Sequence, residues 1–152
     1  MELKIDDKDK KILNALKDNS KLSTGKLSRK LNLPVTTIFH RMKKLEKSGV
    51  IKKYTIDIDE EKLGKHVTAW VLLNVGRDSL KGVGKDHDIV SREILKFPEV
   101  EKVYTITGEY DILTKVRAKD VKELNRFLIK ELRKVEGVEK SQTSIVLNGF
   151  FK

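Results

Sequence analysis

The sequence predicts an α+β chain in two parts: a winged helix-turn-helix over residues 1–60 and a ferredoxin-like βαββαβ unit over residues 61–152. Three observations carry this. Apolar residues recur at helical spacing through most of the first half and alternate at strand spacing through much of the second. The second half orders its elements β-α-β-β-α-β, an arrangement that puts both helices on one face of an antiparallel sheet. The charge is also unevenly placed. The chain carries +10 on 152 residues, from 33 Lys and Arg against 23 Asp and Glu. Residues 20–53 hold ten cations and a single acid, Glu46, so nearly all of the excess lies in one block of the first half. A basic block beside a neutral remainder is the footprint of a polyanion-binding surface.

The elements follow in order. Asp6 is placed to cap a first helix, with Asp9 three residues on in capping-box spacing. Ile12, Leu13 and Leu16 form its apolar stripe. Asn19-Ser20-Lys21 breaks it, and Ser23 caps a short second helix with Leu27 and Leu31 inward. Asn32-Leu33-Pro34 is a tight break before a third helix, about Val35 to Lys47, whose inner stripe is Val35, Ile38, Met42 and Leu45. Phe39 sits beside that stripe as a packing residue. Gly49 closes the helix in the left-handed position that glycine favours. Residues 50–59 alternate like the strands of a wing. In the second half, His66–Val75 reads as a strand with Val67, Ala69, Val71, Leu73 and Val75 on one face. A Gly-containing loop spans 76–85. A helix follows from Asp86 to Phe97 with Val90, Ile94 and Phe97 inward. Strands are expected over Val100–Thr107 and Asp111–Ala118. A long helix from the Asp120 cap to Val135 turns Val121, Leu124, Leu128, Leu132 and Val135 inward, and Lys140–Leu147 is the last strand.

Composition excludes several chemistries. With no Cys, neither disulfides nor thiolate metal sites nor a Cys nucleophile can form. His40, His66 and His87 are too far apart in sequence for a helical metal motif, and no metal or other cofactor is expected. No apolar run approaches the ~20 residues that span a bilayer. Residues 1–7 lack the apolar core of a signal peptide. A cytoplasmic protein without a membrane partner is therefore expected. No nucleophile is paired with a base, and Gly82-Val83-Gly84-Lys85 lacks the rest of a phosphate-binding fingerprint, so an enzyme is not expected.

Two short helices across a three- to four-residue break, the second cationic on its outer face, describe a helix-turn-helix. Removing the inner stripe of the third helix leaves Thr36, Thr37, His40, Arg41, Lys43, Lys44 and Lys47. Its N-terminal part enters the major groove of double-stranded DNA. That assigns Thr36, Thr37, His40 and Arg41 to base edges, with Arg41 able to grip guanine bidentately. Lys43, Lys44 and Lys47, with Lys26, Arg29 and Lys30 from the preceding helix, are assigned to phosphates. Lys52 and Lys53 could reach the flanking backbone from the wing. Taken singly, each lysine also fits a solvated helix face.

The pattern Ile5-Asp6-x2-Asp9-x2-Ile12-Leu13-x2-Leu16, followed by Leu27-x3-Leu31-x-Leu33-x2-Thr36-Thr37-Ile38-x2-Arg41-x3-Leu45-x3-Gly49-Val50-Ile51, closely resembles the DNA-binding half of the Lrp/AsnC (leucine-responsive) transcription regulators. The resemblance is to archaeal members and continues through the βαββαβ half. A Lys- and Glu-rich, Cys-free composition also fits a thermophile. Two positions depart from the family pattern. Pro34 stands where Ser commonly caps the recognition helix, and Lys26 stands where an acid often completes the preceding capping box.

The resemblance implies an effector and oligomerisation role for the second half. Thr107-Gly108-Glu109-Tyr110-Asp111 matches the family's Gly-x-x-Asp turn, which in relatives lies beside an amino-acid site formed where dimers meet. Asp111 or Glu109 could take an ammonium. The Gly108 N–H and the Thr105 or Thr107 hydroxyl could take a carboxylate. Gln142, Thr143 and Ser144 could complete the pocket. The same five residues also describe an ordinary hairpin turn. Trp70 and Leu72, with Tyr104 and Ile106 if the register allows, put apolar groups on the sheet face that the helices leave open. A second subunit is the simplest cover, giving a homodimer able to assemble further into tetramers or octamers. The alternatives are a weakly specific DNA-compacting protein and, on the same two-part architecture, an enzyme resembling haem-biosynthesis decarboxylases. RNA binding is disfavoured, because the second half lacks the exposed aromatic platform of an RNA-recognition motif.

Overall fold

The structure, a computed structural model, describes residues 4–76 and 87–149. The expected loop over 76–85 lies outside them except for Gly76, as does Asp86 at the start of the expected helix. The chain divides into two compact units, Met1–Ile58 and Asp59–Lys152.

The first unit is built from α1 (Asp7–Asp18), α2 (Thr24–Leu31) and α3 (Val35–Lys47). Asp6 and Asp9 form the capping box at α1: each carboxylate accepts from the other residue's backbone N–H. Ser23 caps α2 by accepting from the Lys26 N–H. Only Asn32, Leu33 and Pro34 separate α2 from α3. Asn32 takes a left-handed conformation, and Ser28 holds the turn by donating its hydroxyl to the Leu33 carbonyl at 2.6 Å. Pro34 provides no side-chain cap for α3, as the departure from the family pattern implied. Gly49, at φ +73°, lets the chain double back so that Ile51 N–H reaches the Leu45 carbonyl. Ile12, Ala15, Leu16, Leu27, Ile38 and Leu45 make the core.

Three expectations for this unit are corrected. Val35 and Phe39 are not core residues; each is 49% exposed. The wing over residues 50–59 forms no strand. Alternation provides two faces, but a strand needs a ladder partner, and none pairs with this segment among the described residues. It is held instead by side chains: Ser20 Oγ donates to the Thr55 carbonyl, and Tyr54 donates its hydroxyl to Glu46 at 2.8 Å. Burial and that carboxylate push the Tyr54 phenol up to about 12.

The second unit is a four-stranded antiparallel sheet of order β2-β3-β1-β4, with β1 Val67–Val75, β2 Val100–Thr105, β3 Ile112–Ala118 and β4 Val138–Ile145. The helices α4 (His87–Ile94) and α5 (Val121–Lys130) share one core with the inner sheet face. The inward residues of β1 and β3 are those the alternation predicts, Ala69, Val71, Leu73 and Val75 against Ile112, Thr114 and Val116. The fully buried Thr114 donates its hydroxyl to the Lys102 carbonyl.

The last helix differs from its expectation. It ends at Lys130, and a single 3-10 turn, Leu132–Lys134, follows. Val121 is 57% exposed, whereas Phe127 is fully buried and meets Phe97 edge-on at 5.5 Å. The inner face therefore runs through Leu124, Phe127 and Leu128. Phe127→Ala is expected to cost about 3–5 kcal/mol in the unfolding free energy of the second unit. Val121→Ala should change it by less than ~0.5 kcal/mol in the same denaturant titration.

Candidate nucleic-acid interface and effector cleft

In the first unit, the outward face of α3 presents Val35, Thr36, Phe39, His40, Lys43 and Lys47, with Thr37 half-buried. Lys26, Arg29 and Lys30 are exposed on α2. Lys30 pairs with Asp18 at 3.0 Å, and Lys43 lies 3.6 Å from Glu46. Lys47 has no ion-pair partner among the described residues. Lys52 and Lys53 are exposed on the irregular segment after α3. The cations assigned to phosphates thus all remain at the surface, although Lys44 is also drawn into an ion network.

Arg41 and Lys44 behave differently. The Asp9 carboxylate is completely buried, and both cations reach it. Arg41 Nη1 donates to Asp9 Oδ1 at 2.7 Å and to both oxygens of Asp6, at 2.6 and 2.8 Å. Lys44 Nζ donates to Asp9 Oδ2 at 3.2 Å and to the Lys4 carbonyl at 2.9 Å. With the Asp6 backbone N–H, Asp9 has three donors, which is what a buried carboxylate requires. The assignment of Arg41 to guanine is therefore revised: its guanidinium ties α3 to the start of α1. Lys44 likewise faces α1. The one sequence signal for this was the helical stripe itself. Arg41 lies one turn before Leu45 and one after Ile38, at the edge of the inner face.

The same network sets an acid limit. The hydrogen bond from Arg41, followed by the Asp9 backbone, lowers the Asp6 carboxyl from its ordinary 3.8 to about 2. For Asp9, burial alone would raise the pKa. The hydrogen bonds from Arg41, the Asp6 backbone and Lys44 together outweigh it, and the net direction is down. Both folded-state values lie below the unfolded ones, so the unfolded chain binds protons first as pH falls. This contribution is whole above about pH 4 and is lost as pH drops towards 2.

In the second unit, Gly108, Glu109, Tyr110, Asp111 and Gln142 line an open cleft of about 1170 Å³, with Asn74, Val75, His87, Arg133, Glu139, Lys140 and Ser141. Gly108, at φ +130°, turns the chain between β2 and β3. Three bonds fix the turn. Asn74 Nδ2 donates to the Glu109 carbonyl at 2.6 Å. The Asp111 N–H donates to the Leu73 carbonyl at 2.9 Å. Asp111 Oδ2 accepts from the Val75 N–H at 2.8 Å. Asp111 Oδ1 faces His87 Nε2 at 3.7 Å, and the Tyr110 hydroxyl donates to Gln142 Oε1.

Thr105, Thr107, Thr143 and Ser144 are not brought to this cleft. Thr105 lies against Ser91 of α4. On β4, Gln142 pairs across from Leu72 and Ser144 from Trp70, while Thr143 pairs across from Val71, so the expected trio splits between two sheet faces. The cleft cations Arg133 and Lys140, with His87 and Glu139, were missed. They come from separate elements, and no local spacing links them.

The comparisons agree with this two-part arrangement. A model of a winged helix-turn-helix DNA-binding domain matches residues 5–52, and the Lrp/AsnC ligand-binding domain matches residues 71–152. These are the two modules of a transcription regulator that couples DNA binding to a ligand-binding domain. The chain belongs to the Lrp/AsnC family. It is 39% identical to the HTH-type transcriptional regulator FL11 of Pyrococcus furiosus over 143 residues, 94% of this chain and 89% of that one. It is also similar to a solved transcriptional regulator from Neisseria meningitidis in complex with L-Met, at 26% identity and TM-score 0.88, covering 98% of this chain and 94% of that one. Escherichia coli AsnC matches at 26% identity and TM-score 0.84, covering 99% and 97%. Among the described residues no helix is long and apolar enough to cross a membrane.

Two outcomes are expected for the first unit. Protection of α1 and α3 amides against hydrogen exchange, relative to the intrinsic rate at each pH, should fall between about pH 4 and 2, in the direction worked out above. Asp9→Ala should destabilise the same helices by about 3 kcal/mol at neutral pH, since it leaves two cations without their shared partner.

Proposed function

We propose that this transcription regulator binds preferred duplex sites through the outer face of α3, acts as at least a homodimer, and takes a free amino acid in the cleft around Gly108–Asp111. It works in the cytoplasm and carries no catalytic activity of its own. The observation that carries the DNA reading is the exposed row Thr36, His40, Lys43 and Lys47 along one side of α3, on a helix fixed to its unit by the Asp9 network. A helix held this firmly delivers its N-terminal side chains to base edges and its later lysines to phosphates.

Support for the dimer comes from the open sheet face. The register aligns Tyr104, Leu113, Leu72 and Gln142 in one row across all four strands. Trp70 lies in the next row, between Lys115 and Ser144. Tyr104 is 47% exposed. Beside them Glu101 bridges Lys115 at 2.9 Å and Arg117 at 2.8 Å, which ties down the charges on this face. An apolar row with its flanking charges already paired suits a self-complementary contact. Ile56 and Ile58, exposed before the second unit begins, add apolar surface of the same kind.

The effector reading is supported by the cleft's chemistry and by the L-Met bound to the Neisseria relative. Glu109 and Glu139 offer anions to an ammonium, and Arg133 and Lys140 offer cations to a carboxylate. Asp111 plays a positioning part, because its carboxylate is already held by the Val75 N–H.

Four measurements test this reading. Affinity for a selected duplex should exceed that for random duplex by ~10³ or more; equal affinities would favour the DNA-compacting alternative. Lys47→Ala should weaken all duplexes alike and reduce the slope of log K against log salt by about 1. Light scattering at micromolar concentration should give a dimer or larger, and Leu72→Asp should lower that mass. Titration with L-methionine and a panel of other amino acids should shift duplex affinity, and Arg133→Ala should blunt the shift.

A further inference from the structure

Arg41, the residue expected to grip guanine, is committed elsewhere, and so is Lys44. What stands at the groove-facing end of α3 instead is largely apolar. Val35 and Phe39 lie one turn apart on the same helix face, and each is 49% exposed. Thr36 and His40 flank them, and Lys43 and Lys47 continue the face toward the C-terminal end. The Phe39 ring does not join the core of its unit. Its one ring contact among the described residues is the adjacent His40, edge-on at 5.6 Å and 74°. Two large apolar side chains at the head of a cationic helix stay half-exposed and outside the core cluster of the described residues.

Major-groove edges present one apolar feature, the C5-methyl group of thymine. We infer that Phe39, with Val35 behind it, is a specificity-determining contact that reads thymine methyl groups, so that base preference in this chain is set by apolar contact and not by an arginine fork. The lysines on the same face fix the occupant as a nucleic acid duplex, since Lys43 and Lys47 continue that stripe with charge that complements phosphates. Phe39 bears the reading because its ring is the larger of the two half-exposed side chains. Thr36 adds a methyl of its own beside them. His40, braced by the Phe39 ring, is positioned to offer a nitrogen to an adjacent base edge. The inference rests on α3 being the helix that enters the groove.

The test uses the full-length protein and the duplex it selects from a random pool. Each thymine is replaced in turn by deoxyuridine, which removes only the methyl group and keeps every hydrogen-bonding atom. Affinity is read by fluorescence anisotropy at fixed salt. At one or two thymines per half-site, deoxyuridine should weaken the wild type about fourfold, the value of one buried methyl. Phe39→Ala should bind thymine and deoxyuridine duplexes equally there, while its affinity for random duplex stays within about twofold of wild type. Phe39→Leu should restore part of the discrimination. Because the ring is half-exposed, the thermal melt of Phe39→Ala should match wild type, which separates lost reading from lost folding. A wild type that binds its selected duplex but is indifferent to every deoxyuridine would overturn the inference and leave groove binding by α3 intact. Discrimination that survives in Phe39→Ala would overturn it equally. If Lys43→Ala and Lys47→Ala also left salt-dependent binding unchanged, the role of α3 itself would fail.

Discussion

The buried carboxylate of Asp9 is the constraint on which the DNA-binding unit depends. It closes the capping box of α1, and it receives Arg41 and Lys44 from α3. A carboxylate taken out of water at this depth is tolerable only when donors surround it. Here the donors come from two elements far apart in sequence, so the charge enforces their geometry. Hydrophobic contact among Ile12, Leu27, Ile38 and Leu45 holds the three helices together, but such contact is non-directional. The ion network adds direction: it fixes the rotation of α3 about its axis. That rotation decides which side chains point away from the unit.

The consequence is a division of labour among the cations of one helix. Four basic residues of α3 look equivalent in a charge count. Two of them, Arg41 and Lys44, are structural, and two, Lys43 and Lys47, keep their charge at the outer face. Positive charge used inside to position the helix is not available to neutralise phosphate. Asp6 and Asp9 match these two cations charge for charge, so the network as a whole is neutral. In the second unit a carboxylate has a comparable role. Asp111 accepts the Val75 N–H and fixes the turn at one end of the cleft, so the acid of this Gly-x-x-Asp turn serves the backbone.

Much of the fold was legible in the sequence. The capping box at Asp6 and Asp9, the Ser23 cap, the Gly49 stop and the alternation in β1 and β3 each rest on local chemistry that a one-dimensional pattern records. The errors share a cause. Val121 fits the helical stripe by number yet stays exposed at the first position of α5, and Phe127 is buried instead, edge-on against Phe97. The wing segment alternates correctly yet forms no strand, because pairing needs a second edge. In the cleft, the turn Gly108–Asp111 was visible as a motif. Arg133, Lys140 and His87 were not, since three separate elements deliver them.

The sequence by itself determined the class of this protein, the order of its elements and the location of its charge. These follow from periodicity, caps and composition, which are properties of neighbours along the chain. Only the tertiary structure decided which side of α3 is free. A residue one turn from the core stripe can face inward or outward, and the answer depends on whether a partner charge waits across the helix interface. Asp9 waits there for Arg41 and Lys44. Among the described residues Phe39 joins no buried core cluster, and its ring stays half-exposed on the outer face of α3.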